Sequence, residues 1–191
     1  NGALRWDDGL HLQEQDGLRH RNVRVLHISG DGSLWFGSYV APEGGLSILA
    51  PDGTWQTFAP PGGLLHANVT AIFGDQSGDV WVGTGLAGRG GASRFRRTGA
   101  TWHLVATLGY GDGLAGEKVR SIAQTRDGAM WFGSEYDGLA RCYQGRWTTF
   151  TVVHGLAHNE VTAMRQDTDG DLWIATYNGL TRINAAELST N

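Results

Sequence analysis

Four segments of this chain align on a tryptophan without gaps, and nothing else in the sequence limits the fold so strongly. They read "NVRVLHISGDGSLWFGS", "NVTAIFGDQSGDVWVGT", "KVRSIAQTRDGAMWFGS" and "EVTAMRQDTDGDLWIAT", centred on Trp35, Trp81, Trp131 and Trp173. A valine stands twelve residues before each tryptophan (Val23, Val69, Val119, Val161) and a glycine three before it (Gly32, Gly78, Gly128, Gly170). A Gly-Leu pair opens each unit, starting at Gly17, Gly63, Gly113 and Gly155, so the spacings are 46, 50 and 42 residues. The core phrase keeps its length, and the differences fall in loops.

Each unit reads as four short strands, a to d. Strand a begins at the valine and strand b carries the tryptophan. Asp31-Gly32, Ser77-Gly78, Asp127-Gly128 and Asp169-Gly170 lie between them, a hairpin signal because tight turns need positive φ. Strand c follows as "GGLSIL", "GGASRF", "DGLARC" and "NGLTRI", and strand d as "DGTWQTF", "GATWHLV" and "GRWTTF", with Trp55, Trp102 and Trp147. Thirty glycines among eight tryptophans and 40% hydrophobic residues fit many tight turns with much to bury. Four-stranded units of about 40–50 residues are the signature of β-propeller blades. The expectation is all-β: a β-propeller of four-stranded antiparallel blades, four repeats in a single domain or propeller fragment. The repeat cores fall at about 17–62, 63–112, 113–154 and 155–191, with residues 1–16 supplying strands c and d of a split blade.

The opening phrase "NGALRW" matches "NGLTRI" at 178–183, so the chain begins at strand c of one blade and its d strand runs from about Gly9 to Gln13. Two arrangements follow. Four blades can close, with the amino-terminal d strand completing the last blade, or they form an open arc whose apolar ends pair with another copy. Strand c is then present twice, and His11 stands where other d strands have tryptophan, which reads as a cut through a longer array. With no initiator methionine, the chain is expected to be a processed product or an excised piece.

Charge excludes a broad class of partners. Fifteen basic residues against 19 acidic ones give −4, without the basic field of a nucleic-acid binder. Arg94, Arg96 and Arg97 read as a solvated strand edge. One cysteine, Cys142, makes neither an intramolecular disulfide nor a cysteine zinc site, and it aligns with Leu49, Phe95 and Ile183, as a buried, inert thiol would. No signal peptide is expected in this stretch, and no apolar run approaches the ~18 residues of a membrane span.

The units resemble the two-component regulator propeller repeat, with its Val-x-x-Ile…Gly-x-Leu-Trp-x-Gly-Thr phrase followed by Gly-Leu-x-Arg. Here these read "VTAIFGDQSGDVWVGT" at 69–84, "GLAR" at 138–141 and "GLTR" at 179–182. Gly91-Ala92 replaces the Gly-Leu pair in the second unit, and Ala175 the glycine in the last. The resemblance implies a noncatalytic, ligand-sensing region of the extracytoplasmic part of hybrid histidine kinases, periplasmic or extracellular. It implies a carbohydrate-derived or other polar ligand and no cofactor. This chain has no kinase, receiver or DNA-binding segment, and a protein-interaction or self-assembling scaffold is the alternative.

Candidate ligand-binding residues are those expected at one mouth of the channel, where d-to-a loops and strand-a starts gather. His20, His66 and His158 share one register, with Gly116 in the third unit; Asn22, Asn68, Lys118 and Glu160 share another. The b-to-c loops add Tyr39, Glu43, Arg89, Glu135, Tyr136, Asp137, Tyr177 and Asn178. Mixed polar and aromatic character suits a polar organic ligand. The imidazoles read as loop residues and not as metal ligands, and no metal site is predicted. The strand-b tryptophans read as packing elements, while Trp55, Trp102 and Trp147 are expected to be partly exposed. "DTDGD" at 167–171 reads as a hairpin turn, not a calcium loop. No catalytic residue is assigned, and the His and Glu constellation of streptogramin lyases has no counterpart.

Overall fold

The structure is a computed structural model that describes residues 3–5 and 10–188, residues 3–5 and Leu10 by backbone alone. Strand β1 (Ala3–Arg5) pairs antiparallel with β2 (Leu10–Leu12). The first blade is β3 (Val23–Ile28), β4 (Leu34–Ser38), β5 (Leu46–Leu49) and β6 (Trp55–Phe58). The second is β7 (Val69–Gly74), β8 (Val80–Gly85), β9 (Gly90–Thr98) and β10 (Thr101–Leu108). The third is β11 (Val119–Gln124), β12 (Met130–Ser134), β13 (Leu139–Tyr143) and β14 (Arg146–Phe150). The fourth holds β15 (Val161–Gln166), β16 (Leu172–Thr176) and β17 (Gly179–Ile183), and helix α1 (Ala185–Leu188) follows. Within each sheet the strands pair in chain order, giving a four-bladed propeller arrangement.

The a-to-b turns explain the tryptophan register. Each turn glycine has positive φ (84° at Gly32, 86° at Gly78, 90° at Gly128, 93° at Gly170), where a side chain would be strained. Six residues before each tryptophan a short oxygen-bearing side chain accepts the indole N–H: Ser29 at 2.9 Å, Asp75 at 2.9 Å, Thr125 at 3.0 Å and Asp167 at 2.6 Å. The indole thus stays satisfied while its rings are buried. "DTDGD" is such a turn: Asp167 also accepts the backbone N–H of Asp169 and Asp171, both at 3.0 Å.

The core lies between blades. Trp35, Leu46 and Ile48 of the first blade pack on Val69, Val82, Phe95 and Trp102 of the second. Trp81 meets Leu114, Val119 and Phe132 of the third, and Trp131 meets Leu156, Val161 and Ile174 of the fourth. Trp102 is fully buried, edge-on to Trp35 at 4.8 Å, because an outer strand still covers the neighbouring blade; Trp55 and Trp147 are half-buried, as expected. Cys142 is half-buried, and burial pushes its thiol pKa up. The Arg94 to Arg97 stretch is more than a solvated edge: Arg94 and Arg96 pair with Asp79 at 2.7 and 2.8 Å, and Arg97 reaches Asp31 of the first blade at 3.1 Å.

Close approach between blades dictates the glycine after each buried tryptophan. A Cβ on Gly37, Gly83 or Gly133 would stand 2.5, 2.9 or 2.7 Å from the strand-a valine of the next blade. The fourth blade has Ala175 at this register, half-buried, and its Trp173 is also half-buried. Strand-a neighbours pack β3 on β7, β7 on β11 and β11 on β15, and no contact of that extent joins β15 to β3. At the first blade Leu26 and Ile28 are 65% and 68% exposed, although the equivalent Ile72 is packed against Trp35 and its neighbours. The amino-terminal hairpin lies on the first blade, where Leu12 packs with Leu18 and Phe36. It does not complete the last one: β2 pairs with β1, and β17 ends a three-stranded sheet. Leu188 of α1 fills the space beside Trp131 where a d-strand side chain would stand, its carbonyl accepting from Arg141 Nη2 at 2.9 Å.

Candidate functional site: the channel mouth

Every strand a is bulged one residue after its valine, with the register shift falling at Arg24, Thr70, Arg120 and Thr162. A bulge re-aims the extra side chain out of the ladder. Here all four turn to a common axis and line a cavity of about 330 Å³, together with Tyr39, Lys118 and Glu135. Lys118, only 9% exposed, donates to Glu135 Oε1 at 2.6 Å and to the Tyr39 hydroxyl at 3.3 Å. Arg120 bridges two blades, 2.8 Å from Glu135 and 2.6 Å from Glu160. Arg24 lies over the Tyr39 ring, 4.6 Å from its centroid, with no carboxylate partner among the described residues. Thr70 donates to the Val119 carbonyl and Thr162 to that of Ala175 at 3.2 Å. Three cations thus face two carboxylates, which leaves the guanidinium of Arg24 as excess positive charge.

Of the residues expected at the mouth, Tyr39, Lys118 and Glu135 line this cavity, and Glu160 joins it through Arg120. Arg24 and Arg120 also line this cavity, and sequence reasoning did not pick them out. Their signal was the residue just after the repeated valine, which is arginine, threonine, arginine and threonine in turn.

The histidines do something else. Nδ1 of His20, His66 and His158 each accepts the backbone N–H two residues on, from Asn22, Asn68 and Glu160, at 3.0 Å in every case. They cap the loop that leads into strand a. Burial pulls the His66 pKa down, and the charges of Arg89 and Lys118 lower it further. Asn68 is buried, its backbone carbonyl taking the Gly85 N–H at 3.0 Å, while Asn22 is exposed and accepts from the Tyr39 N–H at 3.3 Å. Tyr177 is exposed at the rim with its ring 5.6 Å from that of His158. Tyr136, also exposed, lines a second cleft with Asp137. No group of three metal-ligating side chains occurs among the described residues.

Residues 63–85, 113–136 and 155–178 each match the family model described as two component regulator propeller. Three stretches of the chain thus match the two-component regulator propeller repeat. The glycine-to-valine contact, the indole–turn bond and the strand-a bulge are the physical content of that repeat here. Among solved structures, the extracellular domain of a protein assigned as a hybrid two-component system from B. thetaiotaomicron superposes with a TM-score of 0.74 at 19% identity. That match covers 92% of this chain and 23% of the other. PorZ, a surface component of the type-IX secretion system of Porphyromonas gingivalis, gives 0.66 at 17% identity, covering 97% of this chain and 30% of its own. Virginiamycin B lyase from Staphylococcus aureus gives 0.58 at 16%, covering 83% and 54%. At such identities the likeness is one of fold. This propeller spans less than a third of the first two proteins, and no curated protein matches it.

Proposed function

We infer that the chain is a noncatalytic, ligand-binding region of an extracytoplasmic sensor, and that its ligand is a small polar molecule carrying an anionic group, a sugar acid being the first candidate. The observation that carries this reading is the channel-mouth cavity, where the guanidinium of Arg24 has no carboxylate partner among the described residues and stands beside the closed network of Lys118, Arg120, Glu135 and Glu160. Arg24 lines the cavity but is an exposed residue, so its pull on an anion is screened by water and weakens with added salt. The acidic group that lines the cavity, Glu135, is held by two cations at 2.6 and 2.8 Å, which suits a fixed wall better than a general base. The repeat family and the extracellular two-component domain of similar fold support the sensor setting. Among the described residues no helix is long and apolar enough to cross a membrane.

Calorimetric titration with glucuronate, galacturonate and the matching neutral sugars tests the reading. Saturable binding of an acid, weakened at least about tenfold by Arg24→Ala, is the expected result. Binding of neutral sugars alone, or of acids untouched by Arg24→Ala, overturns it. The scaffold reading draws on one observation, the exposed Leu26 and Ile28 on the free face of the first blade. A concentration-dependent dimer that Leu26→Ser abolishes would favour it.

A further inference from the structure

The third repeat breaks the mouth's histidine rule at Gly116, and two variable positions beside it are tyrosine, Tyr110 and Tyr136; together they make a cleft of their own. Gly116 stands where the other repeats have their capping histidine, and a Cβ there would overlap the Asp137 carboxylate. Where three loops hold an imidazole, this one holds an aspartate. Tyr110 opens the short 3-10 turn whose counterparts begin with Glu14 and Val152, and it is 65% exposed. Tyr136 of the b-to-c loop is 66% exposed. These residues line a cleft of about 290 Å³ between the second and third blades, together with Glu117, Lys118 and Ser134.

The electrostatics of this cleft are opposite to those of the channel cavity. Lys118 forms part of both walls, but its ammonium turns to Glu135 and Tyr39 on the channel side. The cleft keeps the charges of Glu117 and Asp137, neither ion-paired among the described residues. Asp137 Oδ2 accepts from Ser134 Oγ at 3.1 Å. Two exposed phenol faces beside two carboxylates attract a cation, since the ring quadrupole presents its negative face outward. No group of three His, Cys, Asp or Glu side chains forms here among the described residues, which favours an organic cation over a bare metal ion. A departure from a repeat rule beside exposed aromatics marks a place where local need overrides the repeated solution.

We propose that this cleft binds an organic ammonium group. The inference does not depend on the channel-mouth reading and uses none of the cavity's anion-binding groups. The probe is tetramethylammonium, titrated into the full chain by NMR or calorimetry beside neopentyl alcohol, its neutral counterpart of similar shape, and glucose. Saturable millimolar binding of the cation is expected, about tenfold weaker for either neutral compound. Tyr136→Ala and Glu117→Gln, both at exposed positions, each reduce it several-fold, and added salt weakens it. Arg24→Ala leaves it unchanged while weakening sugar-acid binding, so the two readings fail separately. Equal or tighter binding of neopentyl alcohol or glucose, no saturation by the cation, or indifference to both substitutions overturns the proposal.

Discussion

The two ends of each blade obey different rules. At the a-to-b turn end, every unit repeats one solution: an indole bonded to a turn oxygen. In three units an arginine also lies over that indole (Arg94, Arg141 and Arg182, 5.3, 5.5 and 5.6 Å from the ring centre) and reaches a turn carboxylate. At the mouth end the backbone repeats just as strictly, down to the bulge, but the side chains it presents do not. Arg24, Thr70, Arg120 and Thr162 hold one position with two chemistries, and Gly116 breaks a histidine rule. In a repeat protein, sameness at one register reports packing, and difference at a strictly placed register reports what a single site needs.

The sharpest way to break this comparison is to truncate one aromatic at each end of the third repeat. Trp131→Ala removes a buried indole packed between two blades and should cost about 3–5 kcal/mol in urea unfolding. Tyr136→Ala, at an exposed ring, should stay within about 0.5 kcal/mol. A large loss from Tyr136→Ala would mean that the mouth is architecture after all. Lys118 is the intermediate case, a mouth residue that is buried. Lys118→Ala leaves Glu135 with Arg120 alone and should cost about 3 kcal/mol, the lower end for breaking a buried pair. The double change Lys118→Met with Glu135→Leu should recover most of that, because no uncompensated charge remains. If the double variant is as unstable as the single one, the network contributes more than its charges.

Inter-blade glycines allow the same test within one face. Gly83→Ala pushes a methyl group into Val119 and should cost about 1–3 kcal/mol by overpacking. Ala175→Gly, at the same register of the fourth blade, should change stability by about 1 kcal/mol or less through backbone entropy. Equal costs would show that the glycine serves the strand and not the neighbouring blade.

How far the sequence could be read follows the same division. Blade number, strand order and the packing role of the tryptophans were legible because each rests on a pattern written several times. Arg24 and Arg120 were not picked out, because a bulge breaks the two-residue alternation that says which way a strand residue points. Imidazole at three equivalent loop positions suggested a shared axis, but the ring nitrogens bond to local backbone two residues away, an interaction the register could not distinguish from a site. Strand-exchange closure was a topological possibility. The structure instead pairs β2 with β1 and seats Leu12 on the first blade, since Leu18 and Phe36 offer it apolar cover there.

The smallest effect expected comes from His27, which sits between the first two blades where the second repeat has Phe73. Its Nε2 is buried without a hydrogen-bond partner among the described residues, and a Cβ on Gly74 would lie 3.0 Å from that atom. Burial pulls its pKa below the ordinary value of 6.5, because the charged form would lose its hydration. The unfolded chain therefore binds the proton more readily than the folded one. Stability is level above pH 6.5 and falls as the pH drops through that value toward the lowered folded pKa. Asp31 and Asp79 titrate below their ordinary 3.8, so their contribution is lost only at more acid pH. His27→Phe should flatten the loss between neutral pH and about pH 5 without abolishing the steeper acid limb. Urea midpoints at pH 7.5 and 5.0 for both proteins measure it. If the variant loses as much stability as the parent over that interval, another group is responsible, and His66, also pulled down by burial, is the next to replace.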